Sequence, residues 1–202
     1  MNSPIALDTP LLDAAVSLLG DAGRSGVVRV LGESMRPILP PGSLLHVDFA
    51  PAGLRRGDLV LFRHGELLAV HRLLYRTRDR EGRPRLRTRG DNVLALDPAV
   101  DPERVIGRVV ALRRDGIWRD LTRPPARVYA TLLALHDFFW TGSSVLAGRT
   151  LDRAFRALRL PLSTRGVIVR TDGALLRAAD RILFRAMHRE APAPDGFSSE
   201  PS

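Results

Sequence analysis

Between Gly26 and about Thr122 the chain alternates short apolar runs with clusters of turn residues. Val27–Leu31, Leu44–Phe49, Leu59–Arg63, Leu67–Tyr75, Leu86–Arg89, Val105–Arg113 and Ile117–Leu121 have the length and composition of strands. Pro40-Pro41-Gly42, Pro51-Ala52-Gly53, Arg56-Gly57-Asp58, His64-Gly65-Glu66, Gly82-Arg83-Pro84 and Asp115-Gly116 separate them. This pattern predicts a mainly β fold, a compact antiparallel β-domain over residues 26–123 with hairpins at His64-Gly65 and Asp115-Gly116. Leu67–Tyr75 is apolar on both faces, so alternation leaves the direction of His71 open.

The flanks read differently. Leu11, Leu12, Ala15, Val16 and Leu19 repeat at helical spacing, opened by Thr9 as N-cap and Pro10 at the first helical position, which predicts a helix within residues 1–25. After Arg123-Pro124-Pro125 two more stripes appear: Leu151, Ala154, Phe155 and Leu158 against Arg149, Arg153 and Arg156, and Leu175, Ala179, Ile182, Leu183 and Ala186 against Arg177, Arg181 and Arg185. Residues 124–190 are therefore expected to be basic amphipathic helices, and 191–202, rich in Pro, Ser and Gly, a disordered tail. Pro10–Leu19 is too short to cross a bilayer. Val128–Leu146 is long enough but carries His136 and Asp137 at its middle, and an ionised aspartate there costs roughly 2.5–3.5 kcal/mol, so it is read as a buried or interfacial helix.

Composition narrows the chemistry. A chain of 202 residues, 45% apolar, has enough material for one good core and a smaller appended element. It has no cysteine, which excludes disulfides, thiolate catalysis and Cys-ligated zinc. All 31 basic residues are arginine, so a Ser–Lys dyad, a Schiff base and a phosphate-loop lysine are excluded together. The five histidines form no metal-binding pair by spacing, and neither metal nor cofactor is expected. Of the net charge of +9, residues 124–189 hold eleven Arg against four Asp. That stretch suits an anionic membrane surface, or solvated Arg faces of helices packed on the β-domain. Nucleic acid is not an expected partner. No basic region precedes the first apolar run, which Asp8 and Asp13 flank, so the expected location is cytoplasmic or peripheral to a membrane.

The candidate chemistry centres on Ser34, which leaves the strand Val27–Leu31 for the turn Met35-Arg36-Pro37. A serine there presents its hydroxyl and its own N–H at a cleft edge, which suits a nucleophile; the plain alternative is a turn residue. With lysine absent, histidine is the ordinary base left. His71 lies on a strand as either a base or a core histidine, His46 is the reserve base, and His64 sits at a hairpin tip. Asp58 and Asp91 follow glycines and read as turn formers; Asp97 precedes Pro98, a dipeptide that Asp101-Pro102 repeats.

Four clusters then align: Gly32-Glu33-Ser34-Met35-Arg36-Pro37, Arg56-Gly57-Asp58 running into Leu59–Phe62, Val70-His71-Arg72, and Gly90-Asp91-Asn92 with Asp97 and Ile106-Gly107-Arg108-Val109. In this order they resemble the boxes of the type I signal peptidase family, which shares its fold with the LexA-like peptidases, over about residues 27–113. A histidine where bacterial leader peptidases carry lysine makes the chain look like the endoplasmic-reticulum and archaeal branch. The resemblance implies Ser34 as nucleophile, His71 as general base, Asp97 as the carboxylate that orients it, and Asp91 as a supporting residue. It further implies that Met35 packs under the cleft and that Gly32 stands where many relatives carry an oxyanion-binding hydroxyl. The implied activity is a serine endopeptidase acting on an extended precursor or leader peptide through an acyl-enzyme. A catalytically silent peptide-binding or membrane-docking module with the same fold is the alternative, and a self-cleaving repressor is disfavoured by the missing lysine base.

Overall fold

The computed structural model describes residues 25–135, apart from 50, 52, 66 and 94, together with 190–194. Seven strands form one antiparallel sheet: β1 (Ser25–Arg29), β2 (Leu44–Asp48), β3 (Leu59–His64), β4 (Leu67–Arg78), β5 (Pro84–Arg89), β6 (Val105–Arg114) and β7 (Ile117–Asp120). Their order is β1-β2-β6-β3-β4-β5, with β7 also on β6. The mainly β architecture and both expected hairpins, β3–β4 at Gly65 and β6–β7 at Gly116, are present. β4 runs three residues past the expected Tyr75, because its polar end is held by pairing of Thr77 with Arg85 and Arg78 with Pro84 across a bulge.

Both faces of the sheet are covered, which explains the unbroken apolar run of β3. Successive side chains point to opposite faces, so Leu59 and Leu61 enter one core with Met35, Leu39, Leu45, Val47 and Leu112. Val60 and Phe62 enter another with Leu73, Leu86 and Val100. At about 1.5–3 kcal/mol for each fully buried aliphatic or aromatic side chain, these two clusters dominate the stability of the domain.

Residues 124–135 are helical. Pro124 and Pro125 open this helix, at positions whose missing N–H is no loss. Asp120 receives the Thr122 N–H at 2.7 Å just before it. Tyr129 and Leu133 insert into the first core. Gly57, at φ +88°, lets the helix backbone approach: a Cβ there would lie 2.6 Å from the carbonyl carbon of Ala130.

Glu190 bridges Arg119, and the Ala191 N–H donates to the Trp118 carbonyl at 2.9 Å, so residues 190–191 lie along the edge of β7. The start of the stretch expected to be disordered is thus placed. Pro192 follows where an edge chain needs no donor. The expected N-terminal helix, the Arg-rich stripes between 149 and 186, and residues 195–202 lie outside the described residues. Among the described residues no helix is long and apolar enough to cross a membrane, and residues 136–146 of the longest apolar candidate lie outside them.

Candidate active site

The β3–β4 register settles which way His71 points. Val60 faces His71 across the hairpin, so the imidazole shares the face of the second core. There it meets Phe62 edge-on, with ring centroids 5.8 Å apart. Its far edge reaches past the apolar cluster to the turn after β1.

Two contacts define the site. The His71 Nε2 lies 3.0 Å from Ser34 Oγ, and its Nδ1 lies 2.6 Å from Asp97 Oδ2. The Ser34, His71 and Asp97 anticipated from the sequence are therefore brought together, although 37 and 26 residues separate the paired partners along the chain. His71 and Asp97 side chains are only 12% and 10% exposed, so water competes weakly for their bond.

Each of the three is fixed by backbone pairing that draws distant loops onto the sheet. Leu86 and Val100 exchange both N–H···O bonds, at 2.8 and 2.9 Å, and the Asp97 N–H donates to the Thr88 carbonyl at 3.0 Å. The Thr88 hydroxyl, fully buried, donates to Asp97 Oδ2 at 2.7 Å. One carboxylate oxygen thus receives both His71 and Thr88, which offsets the cost of keeping a carboxylate out of water.

The serine turn is tied to the loop 90–92. The Asn92 N–H donates to the Ser34 carbonyl at 2.7 Å, and the Asn92 amide reaches the Glu33 carbonyl at 3.2 Å. Gly90 lies directly against the pair: a Cβ there would be 2.6 Å from Ser34 O and 3.1 Å from His71 Nε2. Met35 is buried in the first core and its sulfur accepts the Asp91 N–H at 3.4 Å. Gly32 is exposed, and a Cβ there would meet nothing within 4 Å.

Asp91 is more than the turn former its glycine neighbour suggests. Its carboxylate takes a two-pronged contact from Arg72, Nε to Oδ1 at 2.9 Å and Nη2 to Oδ2 at 2.7 Å, with both side chains almost fully buried. Arg72 also donates to the Gly57 carbonyl at 3.1 Å. The residue beside the histidine thereby clamps the 90–92 loop to β4. Asp58 likewise combines a turn role, accepting the Arg55 N–H at 2.6 Å, with an ion pair to Arg127 of the helix.

The other candidates fall elsewhere. His46 bonds the Ser25 hydroxyl at 2.7 Å and stacks edge-on against Trp118. His64 is at the exposed end of β3, and Asp101 caps the 3-10 turn Pro102–Arg104 while pairing with Arg85. Thr88 and Gly90 are the site residues whose roles sequence reasoning missed. Thr88 carries one usable signal, a hydroxyl two positions from a core leucine on a strand, where it must find a buried partner. Among the described residues no group of three His, Asp or Glu stands ready to hold a metal ion.

Beside Ser34 an open groove of about 940 Å³ runs between residues 28–32 and Leu67–Val70. Among the described residues β5 pairs β4 only from Arg72 onward and β1 pairs only β2, so both walls present strand edges without a described partner. Four successive antiparallel pairings separate β1 from β4, so the two walls run the same way, toward Ser34 and His71.

Residues 6–110, more than half of the chain, match the model of a family described as Peptidase S24-like. No curated protein matches the chain.

Proposed function

The chain belongs to the Peptidase S24-like family, and on that premise we propose that it is a serine endopeptidase of signal-peptidase type, cleaving an extended precursor or leader peptide through an acyl-enzyme. The observation that carries this reading is the single imidazole bridging a serine hydroxyl at 3.0 Å and a buried carboxylate at 2.6 Å.

The steps follow from that geometry. Asp97 accepts the Nδ1–H of His71, which leaves Nε2 as the acceptor facing Ser34. As Ser34 Oγ attacks the scissile carbonyl, Nε2 takes its proton, and the developing oxyanion sits beside the Ser34 N–H. The C–N bond breaks as the imidazolium returns that proton to the leaving amine. Water, deprotonated by the same nitrogen, then attacks the ester, releases the acid and restores Ser34. Asp97 stabilises the imidazolium throughout, supported by the Thr88 hydroxyl. The substrate enters as an added strand, bridging the open edge of β1 and the open edge of Leu67–His71. Gly32 adds no side-chain donor to the oxyanion, so backbone N–H groups carry that task.

Purified chain, Ser34→Ala and His71→Ala are assayed on peptides with small residues before the cleavage site. Wild type alone should turn over, and mass spectrometry of the acyl-enzyme should place the adduct on Ser34. Equal turnover by all three proteins would eliminate the triad. Incubation without peptide reports in the same experiment whether the chain cuts itself.

A further inference from the structure

One residue, Asn92, holds both of the peptide units that flank Ser34. On the C-terminal side its N–H donates to the Ser34 carbonyl at 2.7 Å. On the N-terminal side its side-chain amide donates to the Glu33 carbonyl, Nδ2 to O at 3.2 Å, across 59 positions of sequence. The same Glu33 oxygen accepts the Arg36 N–H at 3.1 Å, which closes the turn that carries the serine. Asn92 is itself placed by its loop: the Val93 N–H donates to the Gly90 carbonyl at 2.9 Å, and Asp91 is locked to Arg72.

The contact on Glu33 reaches the serine through the plane of a single peptide. The Glu33–Ser34 bond is trans, so its C=O and N–H point in opposite directions, and a group that fixes the carbonyl also aims the Ser34 N–H. That N–H is the donor beside the developing oxyanion, and Gly32 brings no hydroxyl to share the task. Among the described residues the Ser34 N–H donates to no other group, so nothing there competes for it. Two donors on the Glu33 oxygen also polarise the unit, which makes the N–H at its other end a stronger donor.

We propose that Asn92 is a positioning residue for the oxyanion: without touching substrate, its side-chain amide aims and polarises the Ser34 N–H through the Glu33 carbonyl. This rests on the peptidase reading of the site. The role is separable from folding, because Asn92 is exposed and a hydrogen bond open to water adds little stability. It is also separable from His71, because the Asn92 backbone N–H stays on the Ser34 carbonyl whatever the side chain, and the serine keeps that tether. The plain alternative for an asparagine after Gly90-Asp91 is to shape the turn, a task that aspartate performs as well. Aspartate has the same outline but, ionised, only accepts hydrogen bonds, so the two roles part at that substitution.

Wild type, Asn92→Ala and Asn92→Asp are compared on a fluorogenic peptide with small residues before the cleavage site, at a pH above the His71 titration. Both variants should lose about five- to ten-fold in kcat at unchanged KM, as for an interaction made only in the transition state. The loss is smaller than the roughly 10²–10³-fold of deleting an oxyanion donor, because the Arg36 N–H still holds the carbonyl. Inhibition by a peptide aldehyde of the same sequence, whose adduct with Ser34 puts an oxyanion in that place, should weaken by the same factor. The midpoint of the pH profile should stay where it is in wild type, and Tm should stay within about 4 °C. Asn92→Asp at the wild-type kcat would leave Asn92 a turn former and overturn the inference. A loss in Asn92→Ala confined to KM, or accompanied by a shifted pH midpoint, would overturn it too. A wild type that neither cleaves the peptide nor binds the aldehyde sinks the peptidase reading and the role of Asn92 with it. A wild type that cleaves, with both variants keeping pace, sinks the role of Asn92 alone.

Discussion

Gly90→Ala is the sharpest test of how the site is held together, because the methyl has nowhere to go. Its Cβ would lie 2.6 Å from the Ser34 carbonyl oxygen, about 0.7 Å inside an ordinary C···O contact, and 3.1 Å from both His71 Nε2 and Ser34 Cβ. The Ser34 oxygen is itself fixed by the Asn92 N–H at 2.7 Å, two residues from the substitution, so relief must come from moving the serine turn off the loop. Overpacking of this kind costs about 1–3 kcal/mol, which for a chain of this size is roughly 2–12 °C in Tm. The catalytic effect should be larger than the stability effect. A displacement approaching 1 Å at the reacting atoms costs on the order of 10²-fold, and the Ser34–His71 contact has little slack at 3.0 Å. We expect Gly90→Ala to remain folded at 25 °C while kcat/KM and the rate of labelling by a serine-directed fluorophosphonate both fall by about 30- to 100-fold. The paired readouts are a thermal melt and the labelling rate on the same sample. A variant within two-fold of wild type in labelling would refute the argument that the loop holds Ser34 in place, as would a loss accounted for by its unfolded fraction alone.

Thr88→Val keeps the shape of the buried side chain but removes one of the donors on Asp97, so kcat/KM should fall by about ten-fold, the worth of a hydrogen bond to a charged group, with Ser a better replacement than Val. Unchanged kinetics in Thr88→Val would show that Asp97 does not depend on it. Arg72→Met removes the two-pronged partner of the buried Asp91 carboxylate and should cost about 3–5 kcal/mol by urea titration, part of which returns in the double variant Arg72→Met/Asp91→Leu. Simple additivity of the two single losses would refute the pairing. Asp101 is held below its ordinary value of 3.8, first by the Glu103 N–H and then by the Arg85 guanidinium. A carboxyl lowered on folding contributes stability above its unfolded value and loses it as pH falls through the folded one. Tm of the wild type should therefore drop more steeply below about pH 4 than that of Asp101→Asn, and parallel curves would count against it.

Local sequence located the strands because nearly every one carries its own boundary signal. Gly65 and Gly116 stand at the two tight hairpins with φ +62° and +77°, and the apolar runs between turn clusters match the observed spans to within a few residues. The direction of His71 was beyond reach for a definite reason: its strand is apolar on both sides, as is its partner β3, and only their register decides which face the imidazole takes. Ser34 and Asp97 became readable through the resemblance of their order, with His71 and Gly90-Asp91-Asn92, to the boxes of a known family, since no local pattern requires a serine at one turn and an aspartate at another to meet.

What stayed hidden is the layer that holds these groups. Gly90 looks like any turn glycine, yet its φ lies outside the left-handed region, so its necessity comes from the atoms packed against it and not from its own conformation. Arg72 reads as a charged residue on an apolar strand, whereas alternation from His71 sends it to the opposite face, where Leu59 is its cross-strand neighbour and Asp91 its counter-ion. Consecutive residues of one strand therefore serve the two halves of the site: His71 faces the serine, and Arg72, on the other side of the sheet, grips the loop that presses Gly90 against that serine. A one-residue slip of β4 would exchange them and place a guanidinium where the imidazole now stands. The proposed chemistry therefore depends on the β3–β4 register, and the turn at Gly65 together with the clamp on Asp91 makes that register the stable one.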